Sequence, residues 1–278
     1  MTTVPAAPPP RLPPLTWLSI FARLFAVQSS WNYELLVGTG IGFCTEPALR
    51  GLPGGRAGTA YHNALARESR YFNAHPYLAA VAVGALVRAE LEGLPAERIE
   101  RFRTALCGPL GSVGDRLVWA GWLPFSSLLA LTAFGLGAGP WSTLLIFLGV
   151  YNVGQIALRA WGLRVGWRYG MQAAAALANP VLRHGPRYIA RAVATLAGVA
   201  LPLVMTRVLH DARQLLGEPS GPAIGAPIRG LHIDALVALT ILAAAVGAVV
   251  LARLHGRLQG WRLALGVLAA LTIYSMIP

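Results

Sequence analysis

The chain has 278 residues, of which 55% are hydrophobic and only 12% are charged, and its mean hydropathy is +0.56. Because a soluble domain carries about 25% charged residues, this composition excludes an ordinary soluble protein and indicates an integral membrane protein. The formal net charge is +12, and every basic side chain other than histidine is an arginine. These arginines lie between apolar segments and not along one polar face, so we expect contacts with lipid headgroups and no nucleic-acid partner.

The N-terminal residues divide into a tail and an apolar stripe. Residues 1–15 are rich in proline and contain no apolar core long enough for a cleavable signal peptide, which predicts a disordered tail ahead of one membrane domain over residues 16–278. Thr16 is placed to cap a helix. Apolar side chains recur along that helix at helical spacing: Trp17, Ile20, Phe21, Leu24 and Phe25. The stripe is too short to span a bilayer. It fits an amphipathic helix in the membrane interface or on another subunit, and equally a helix packed on its own chain.

Several apolar segments in the first half of the chain are short. Residues 35–43 and 78–87 fall short of the ~20 residues that a spanning helix needs, and the glycines of the first segment indicate close packing or a re-entrant turn. A helix is predicted over residues 59–70, and Pro76 breaks the helical pattern that follows it. Residues 94–106 carry alternating charges, which predicts a helix with one solvated face.

The second half of the chain is more apolar. No Asp, Glu, Lys or Arg occurs between Leu117 and Leu158, which predicts two spans joined by a turn at Gly135–Pro140. The arginines from Arg159 to Arg191 form the candidate cytoplasmic face. Three further elements are predicted: an apolar segment at 192–206 kinked by Pro202, a polar connection at 210–230, and a closing helical hairpin at 235–252 and 263–278.

The stretch Gly108–Asp115 stands directly before the uncharged segment. It contains three glycines, one proline and one carboxylate. Glycine and proline weaken or end helices, so the stretch predicts a broken helix at the edge of the membrane region. An acidic residue in such a place is a candidate functional residue, with capping of the next helix by Asp115 as the alternative.

Motifs for nucleotides, metals and nucleophiles are absent from the sequence. Gly108–Asp115 lacks the Lys-Ser/Thr pair of a phosphate loop, and the glycines from Gly38 to Gly42 do not have the spacing of a dinucleotide site. His62 and His75 are far apart, and Cys44 and Cys107 have no neighbouring ligand residues, so we expect no metal, no cofactor and small buried cysteines. No G-x-S-x-G motif occurs, and we expect no catalytic activity of the chain on its own.

A set of polar side chains lies in apolar surroundings. They are Asn32, Glu34, Asn73, His75, Asp115, Asn152 and Gln155. Carboxylate, amide and imidazole groups suit a neutral sugar, because each sugar hydroxyl both donates and accepts a hydrogen bond. Aromatic neighbours can pack on the apolar face of a sugar ring: Trp31, Tyr33, Phe72 and Tyr77. The alternative is that these polar groups connect broken helices to one another.

Four stretches carry a family resemblance. Gln28–Glu34 reads Q-S-S-W-N-Y-E, and Glu68–Tyr77 contains F-N-A-H-P-Y. Gly108–Asp115 reads G-P-L-G-S-V-G-D, and Trp161–Gly170 reads W-G-L-R-V-G-W-R-Y-G. From about residue 16 onwards, this combination resembles the D subunit (IID) of the mannose/fructose/sorbose family of the sugar phosphotransferase system.

The resemblance implies an all-α integral membrane protein with several transmembrane helices, short Gly/Pro-broken or re-entrant segments and an N-terminal interfacial helix. It also implies a homologous C subunit (IIC) in the bacterial cytoplasmic (inner) membrane, cytoplasmic A and B subunits that relay phosphate, and a trimer of C–D heterodimers. The D subunit then carries no phosphorylated residue. We expect five residues to bind or gate the sugar: Asn32, Glu34, Asn73, His75 and Asp115.

Two alternatives remain open at this point. Arg116 follows Asp115 where the family has a small residue, and this departure favours a divergent D-like protein that acts as a scaffold or regulator without transport. The other alternative is a transporter whose uptake does not depend on a phosphoryl donor.

Overall fold

A computed structural model describes residues 10–173 and 180–215, and within these residues the chain is helical apart from its loops and two isolated β-bridges. The all-α fold is therefore confirmed. The predicted closing hairpin at 235–252 and 263–278 lies outside the described residues, as do residues 1–9 and most of the connection at 210–230. The helices are α1 (Pro14–Arg23), α2 (Gly38–Leu49), α3 (Thr59–Glu68), α4 (Ala79–Leu91), α5 (Ala96–Gly114), a π-helix (Asp115–Trp122), α6 (Leu123–Gly135), α7 (Pro140–Tyr169) and α8 (Pro180–Leu215).

Helix α1 begins at Pro14. Proline suits the first helical position because the N–H that it lacks would have no intrahelical hydrogen-bond acceptor there. Thr16 lies inside the first turn, so its predicted role as the cap is wrong. The inward face of the stripe is buried at Ile20 and packs on the core of the same chain, whereas Leu15 and Leu18 are exposed. Contact of this outer face with lipid or with another subunit stays a prediction.

The short apolar segments form buried helices. Helix α4 is apolar around its whole circumference from Ala79 to Val87 and buried from Ala79 to Glu90, which is the position expected of a helix segment without a polar face. In α2, a side chain at Gly40 would overlap the backbone of Val27, and one at Gly38 would overlap the carbonyl of Arg70. The close packing predicted from these glycines is confirmed.

Helices α4 and α7 also meet through glycine. A side chain at Gly84 of α4 would overlap the backbone of Leu163, and one at Gly166 of α7 would overlap the carbonyl of Val81. Glycines at the contact between two helices let their backbones approach closely in a membrane protein. Helix α7 ends at Tyr169, and the next residue, Gly170, has a φ of +52°, the left-handed conformation common after a helix C-terminus.

The predicted helix break at Gly108–Asp115 is wrong. Helices α5 and α6 and the π-helix between them run without interruption from Ala96 to Gly135, and Pro109 lies inside α5. The irregularity follows the glycines: the backbone widens to π geometry over Asp115–Trp122. An unbroken helix keeps its backbone groups paired, which an apolar surrounding demands, and the glycines instead make room for a neighbouring loop.

Three helical segments are long and apolar enough to cross a membrane, counted over the described residues: Ala96–Gly135, Pro140–Gln172 and His184–Asp211. The turn predicted at Gly135–Pro140 is confirmed between the first two.

The chain divides into two compact units. One contains the residues up to Leu123 together with Val150–Tyr188, and the other contains Pro124–Gly149 together with the chain from Ile189. In the second unit, the guanidinium of Arg207 donates to the carbonyls of Phe134 and, at 2.8 Å, Ala138. These bonds satisfy carbonyls at the end of α6, as a basic side chain does at a helix C-terminus.

Charged side chains join the helices of the first unit. We call Arg67, Glu68, Glu90 and Arg103 the ion-pair layer. Arg67 of α3 binds Glu90 of α4 through two hydrogen bonds of 2.8 and 2.7 Å, and Arg103 of α5 pairs with the fully buried Glu68. On α5, Ile99 and Arg103 face inward while Arg98 and Arg101 are exposed, so the predicted solvated face at 94–106 is confirmed.

A second set of ion pairs surrounds Glu46. Its carboxylate binds Arg23, Arg50 and Arg56 at 2.7 to 3.1 Å and accepts a hydrogen bond from the Tyr61 hydroxyl at 3.1 Å. The hydrogen bond from Arg50 is the first cause that lowers the pKa of Glu46, to about 2. This cluster connects α1, α2 and α3.

Candidate functional site

Two loops of the first unit hold the candidate residues. In the Asn32 loop (residues 27–37), the side-chain oxygen of Asn32 accepts the N–H groups of Glu34 at 3.0 Å and Leu35 at 2.8 Å. This is an Asx turn, in which a short polar side chain replaces a backbone partner. Leu36 has a φ of +51°, a conformation that a bulky residue adopts only when its surroundings impose it.

The Asn32 loop is paired with the second loop. The Phe72 carbonyl accepts the N–H of Val37 at 3.2 Å, and the Phe72 N–H donates to the carbonyl of Leu35 at 3.1 Å. Phe72 belongs to the His75 loop (residues 69–78) and directly precedes Asn73. The pairing therefore fixes the Asn32 loop beside the start of the F-N-A-H-P-Y stretch.

The His75 loop lies against the glycines of α5. Gly111 is close to the side chain of Asn73, which would stand 3.5 Å from an added Cβ. An added Cβ on Gly114 would overlap the Cβ of His75, and Asp115 is the next residue. Glycine at position 114 is thus required for the close approach of His75, whereas Asn73 makes an ordinary contact at Gly111 and Asp115 directly follows Gly114 in the helix.

Four of the five predicted site residues are exposed: Asn32, Glu34, Asn73 and Asp115. Among the residues that the structure describes, no hydrogen bond or ion pair engages the carboxylates of Glu34 and Asp115. Because Asp115 lies within a continuous helix, the alternative in which it caps the start of the next helix is wrong. Trp31 and Tyr33 form an edge-on pair at 4.8 Å, and Tyr33 is 88% exposed.

His75 is the buried member of the set, at 2% exposure. Its Nδ1 accepts the backbone N–H of Tyr77 at 3.2 Å, so the proton of the neutral ring lies on Nε2. Nε2 is buried and has no hydrogen-bond partner among the residues that the structure describes. Burial, and secondarily the charge of Arg159, lowers the pKa of His75 to about 4. The imidazole is therefore a neutral donor with an unused N–H.

Polar side chains of α7 lie behind the His75 loop. We call Tyr151, Asn152, Gln155 and Arg159 the α7 polar cluster. The hydroxyls of Tyr77 and Tyr151 are 2.5 Å apart, and the Arg159 guanidinium lies 4.1 Å from the centre of the Tyr77 ring. Gln155 accepts from Arg159 at 2.6 Å and donates to the side chain of Asn152.

The sequence indicated Asn152 and Gln155 as candidate polar residues but not Tyr151 or Arg159. Arg159 was assigned to a basic cytoplasmic face, and this is wrong for its side chain, which is 4% exposed. Its spacing of four residues from Gln155, at the edge of the uncharged segment, is the pattern that could have indicated a buried role. Trp119 was also missed; its ring lies 5.3 Å from that of His75.

The remaining sequence candidates stay apart from the site. His62 is exposed on α3, and Cys44 is buried whereas Cys107 is half-buried. Over residues 10–173 and 180–215, no group of three or more His, Cys, Asp or Glu side chains is arranged to hold a metal ion.

Comparison with known proteins gives consistent matches. A family model described as the PTS system mannose/fructose/sorbose family IID component matches residues 13–200. The fructose permease IID component of Bacillus subtilis (strain 168) is 30% identical over 161 residues, which cover 55% of this chain and 56% of that protein. The sorbose-specific EIID component of Klebsiella pneumoniae is 31% identical over 163 residues, covering 55% and 57%. The mannose-specific EIID component of Escherichia coli (strain K12) is 30% identical over 159 residues, covering 55% and 54%.

The chain thus spans about half the length of the curated relatives it matches. Two solved structures share the fold over nearly the whole chain. One is a chain of the mannose transporter ManYZ in complex with microcin E492 (MceA), with a TM-score of 0.53, 19% identity, and coverage of 95% of this chain and 97% of that one. The other, described as a membrane protein, has a TM-score of 0.62, 18% identity, and coverage of 96% and 98%. Because the family model covers more than half of the chain, this protein belongs to the mannose/fructose/sorbose family of phosphotransferase-system IID components.

Proposed function

We propose that this protein is the membrane D subunit of a phosphotransferase-system sugar permease. With a C subunit it forms the path by which a hexose-type sugar crosses the bacterial cytoplasmic membrane, as a trimer of C–D heterodimers. Cytoplasmic A and B subunits supply the phosphoryl group. The observation that carries the proposal is the unused Nε2–H of His75, held beside Asn73 and Asp115 in a chain of this family.

The chemistry of the site suits a neutral sugar. A sugar hydroxyl accepts one hydrogen bond and donates another, and His75 in its neutral form supplies a donor while the Asp115 carboxylate supplies an acceptor. The amides of Asn73 and Asn32 do both. The exposed rings of Trp31 and Tyr33 offer an apolar face for the sugar ring. The chain binds and passes the sugar, and the phosphoryl transfer belongs to its partners.

The test is uptake by the assembled permease. The protein is co-expressed with its C, B and A subunits, and uptake of radiolabelled mannose, fructose and sorbose is measured with and without the phosphoryl donor. Native protein should take up at least one sugar in a donor-dependent way, and Asn73→Ala and His75→Gln should each lower uptake about 10-fold or more, because each removes a hydrogen-bonding group from the site.

Matched controls come from α3, where His62 and Asn63 are exposed. His62→Gln and Asn63→Ala make the same chemical changes away from the site and should leave uptake unchanged. If Asn73→Ala and His75→Gln behave like these controls, the site assignment is wrong. Uptake that persists without the donor would support the transporter that does not depend on phosphotransfer.

Arg116 is one of the departures from the family pattern that favour the scaffold alternative. In the structure its Nε donates to the carbonyl of Ser112, one turn earlier, at 3.1 Å. The guanidinium is therefore bound to its own helix and leaves the Asp115 carboxylate open for a ligand. Stable co-purification with the C subunit, combined with no uptake of any sugar, is the result that would favour the scaffold.

A further inference from the structure

We propose that Arg159 is a positioning residue for the site described above: its guanidinium packs on Tyr77 and thereby keeps the His75 ring as a neutral Nε2–H donor. The proposal rests on the proposed function only for the identity of the ligand. The geometry on which it depends joins three separate parts of the first unit.

Arg159 connects α7 with the start of the chain and with the His75 loop. Its guanidinium lies between two aromatic rings, 4.1 Å from the centre of Tyr77 and 4.8 Å from that of Phe25. Its Nε donates to the carbonyl of Leu24 at 3.3 Å, and another nitrogen donates to Gln155 at 2.6 Å. One side chain thus packs on Tyr77 while it is anchored at two other points.

Arg159 carries its charge without a counter-ion. Across the described residues its partners are a carbonyl, an amide and aromatic rings, and no carboxylate pairs with it. A buried cation is costly to keep in an apolar surrounding, although ring faces and charge-assisted hydrogen bonds offset part of that cost. Gln or Met would fill a similar volume at less cost, so the positive charge itself needs a reason.

The reason that the geometry offers is the protonation of His75. The ring of His75 contacts that of Tyr77 edge-on at 4.9 Å, and Arg159 covers Tyr77. A proton on Nδ1 would remove the hydrogen bond that this atom accepts from the Tyr77 N–H, and it would place a second cation near Arg159. Both effects keep the ring neutral, which agrees with the lowered pKa of His75.

Other titratable groups face His75 from the surrounding elements. Tyr77 lies on its own loop, Asp115 follows the α5 glycine that contacts it, and Tyr151 and Arg159 lie on α7. Asp115 is exposed and screened by solvent, and the hydroxyls of the two tyrosines contact each other at 2.5 Å. Among these groups Arg159 is the buried fixed charge, and it adds to burial, which is the larger cause of the lowered pKa of His75.

The experiment measures the titration of His75 directly. The full-length protein is purified in detergent with labelled histidine, and the chain's six histidines are followed by NMR from pH 3 to 8, with the signal of His75 assigned by its loss in His75→Gln. The native midpoint should lie near 4. Arg159→Gln should move the midpoint upward, towards the ordinary value of about 6.5. Arg159→Lys keeps the charge and should leave the midpoint in place.

A second variant covers the case in which Arg159→Gln does not fold. Gln155→Glu has almost the same shape and gives Arg159 a counter-ion at the position of its present 2.6 Å hydrogen bond. It should also raise the midpoint of His75. Tyr151→Phe removes the hydroxyl contact with Tyr77 and leaves Arg159 unchanged, so it should leave the midpoint near its native position.

Measurements of sugar uptake distinguish a positioning role of Arg159 from a role in folding alone. In the assembled permease, Arg159→Gln and Gln155→Glu should lose uptake more steeply as the pH falls from 7 to 5 than native protein does. Arg159→Lys should lower uptake without a change in its pH profile. A His75 midpoint that stays in place in both charge-altering variants would overturn the proposal. If the midpoint moves as expected but native protein takes up none of the three sugars, the positioning role stands and the proposed function fails.

Discussion

Two buried charged regions of the first unit differ in how their charges are satisfied. In the ion-pair layer, Arg67 and Arg103 each meet a carboxylate on a neighbouring helix, although the buried Oε1 of Glu68 has no hydrogen-bond partner among the described residues. In the α7 polar cluster, Arg159 meets rings, an amide and a carbonyl, and the adjacent His75 keeps a nitrogen without a partner.

We expect the region with paired charges to hold the fold, and the region with an unpaired cation and an unused donor to serve a ligand. A buried charge that meets its opposite charge closes a helix interface, and removal of one partner leaves the other stranded. A buried donor with no partner lowers stability, and proteins tolerate such groups mainly where a ligand or water completes them. We therefore expect variants of the ion-pair layer to change stability, and variants of the site to change uptake.

The largest effect should come from the ion-pair layer. Glu68→Ala leaves the buried guanidinium of Arg103 without its carboxylate and should lower the free energy of unfolding by about 3–5 kcal/mol. Thermal unfolding in detergent measures the loss. The double variant Glu68→Leu with Arg103→Met removes both charges and should recover much of it. If the Glu68→Ala protein were as stable as the native one, the ion-pair layer would not be the region that holds the fold.

The next largest loss of stability should come from substitution of Gly114, the glycine of α5 that His75 contacts. In Gly114→Ala the new methyl group would overlap His75, so the ring must move, and we expect a loss of about 1–3 kcal/mol together with strongly reduced sugar uptake. Gly108 provides the control in the same helix, because nothing lies within 4 Å of an added Cβ there. Gly108→Ala should keep uptake and gain up to about 1 kcal/mol from helix propensity. Equal effects of both substitutions would contradict the packing argument.

The two regions should also respond to acid in different pH windows. The pKa of His75 is lowered from 6.5 to about 4, so the unfolded chain takes up a proton first, and the stability that neutral His75 contributes is lost as the pH falls from 6.5 to 4. The pKa of Glu46 is lowered from 4.5 to about 2, so its contribution is lost as the pH falls from 4.5 to 2. When the melting temperature is measured against pH, the decrease between pH 6.5 and 4 should be smaller in His75→Gln than in native protein. The decrease between pH 4.5 and 2 should be smaller in Glu46→Gln. If His75→Gln changed the decrease between pH 4.5 and 2, or Glu46→Gln changed the decrease between pH 6.5 and 4.5, the assignment of each pH range to its residue would be wrong.

The smallest effect is expected at an exposed ion pair. Arg70 and Glu100 are 2.5 Å apart, but their side chains are 65% and 44% exposed. Solvent screens such a pair, so Glu100→Ala should change the free energy of unfolding by less than about 1 kcal/mol. Its melting temperature, measured beside that of Glu68→Ala, sets the scale for the first prediction. A loss as large as that of Glu68→Ala would show that burial does not decide the strength of these pairs.

The local elements were readable from residue patterns. The helix predicted over 59–70 corresponds to α3, and the turn predicted at Gly135–Pro140 joins α6 to α7. Both depend on neighbouring residues, namely the helical spacing of apolar side chains and the helix-breaking effect of Gly and Pro. Asn73, His75 and Asp115 are candidate site residues for a similar reason, because a polar residue is conspicuous in apolar surroundings, and their role stays a prediction.

Two features could not be read in this way. The glycines of Gly108–Asp115 predicted a break, but the helix continues, because the same residue type also serves close approach by a distant loop. The sequence predicts a surface position for Arg159, because its partners Phe25 and Tyr77 are far from it in the sequence. In both cases the deciding contact is between segments that only folding brings together.

The sequence by itself determined the membrane class, the family and the polar residue types of the site, because composition, spacing and motif are properties of neighbouring residues. Only the tertiary structure decided which polar groups are satisfied. It placed Glu68 opposite Arg103, and it left the Nε2 of His75 without a partner beside a cation. The physical reason is that the free energy of a charge depends on burial and on the groups that face it, and both are set by long-range packing.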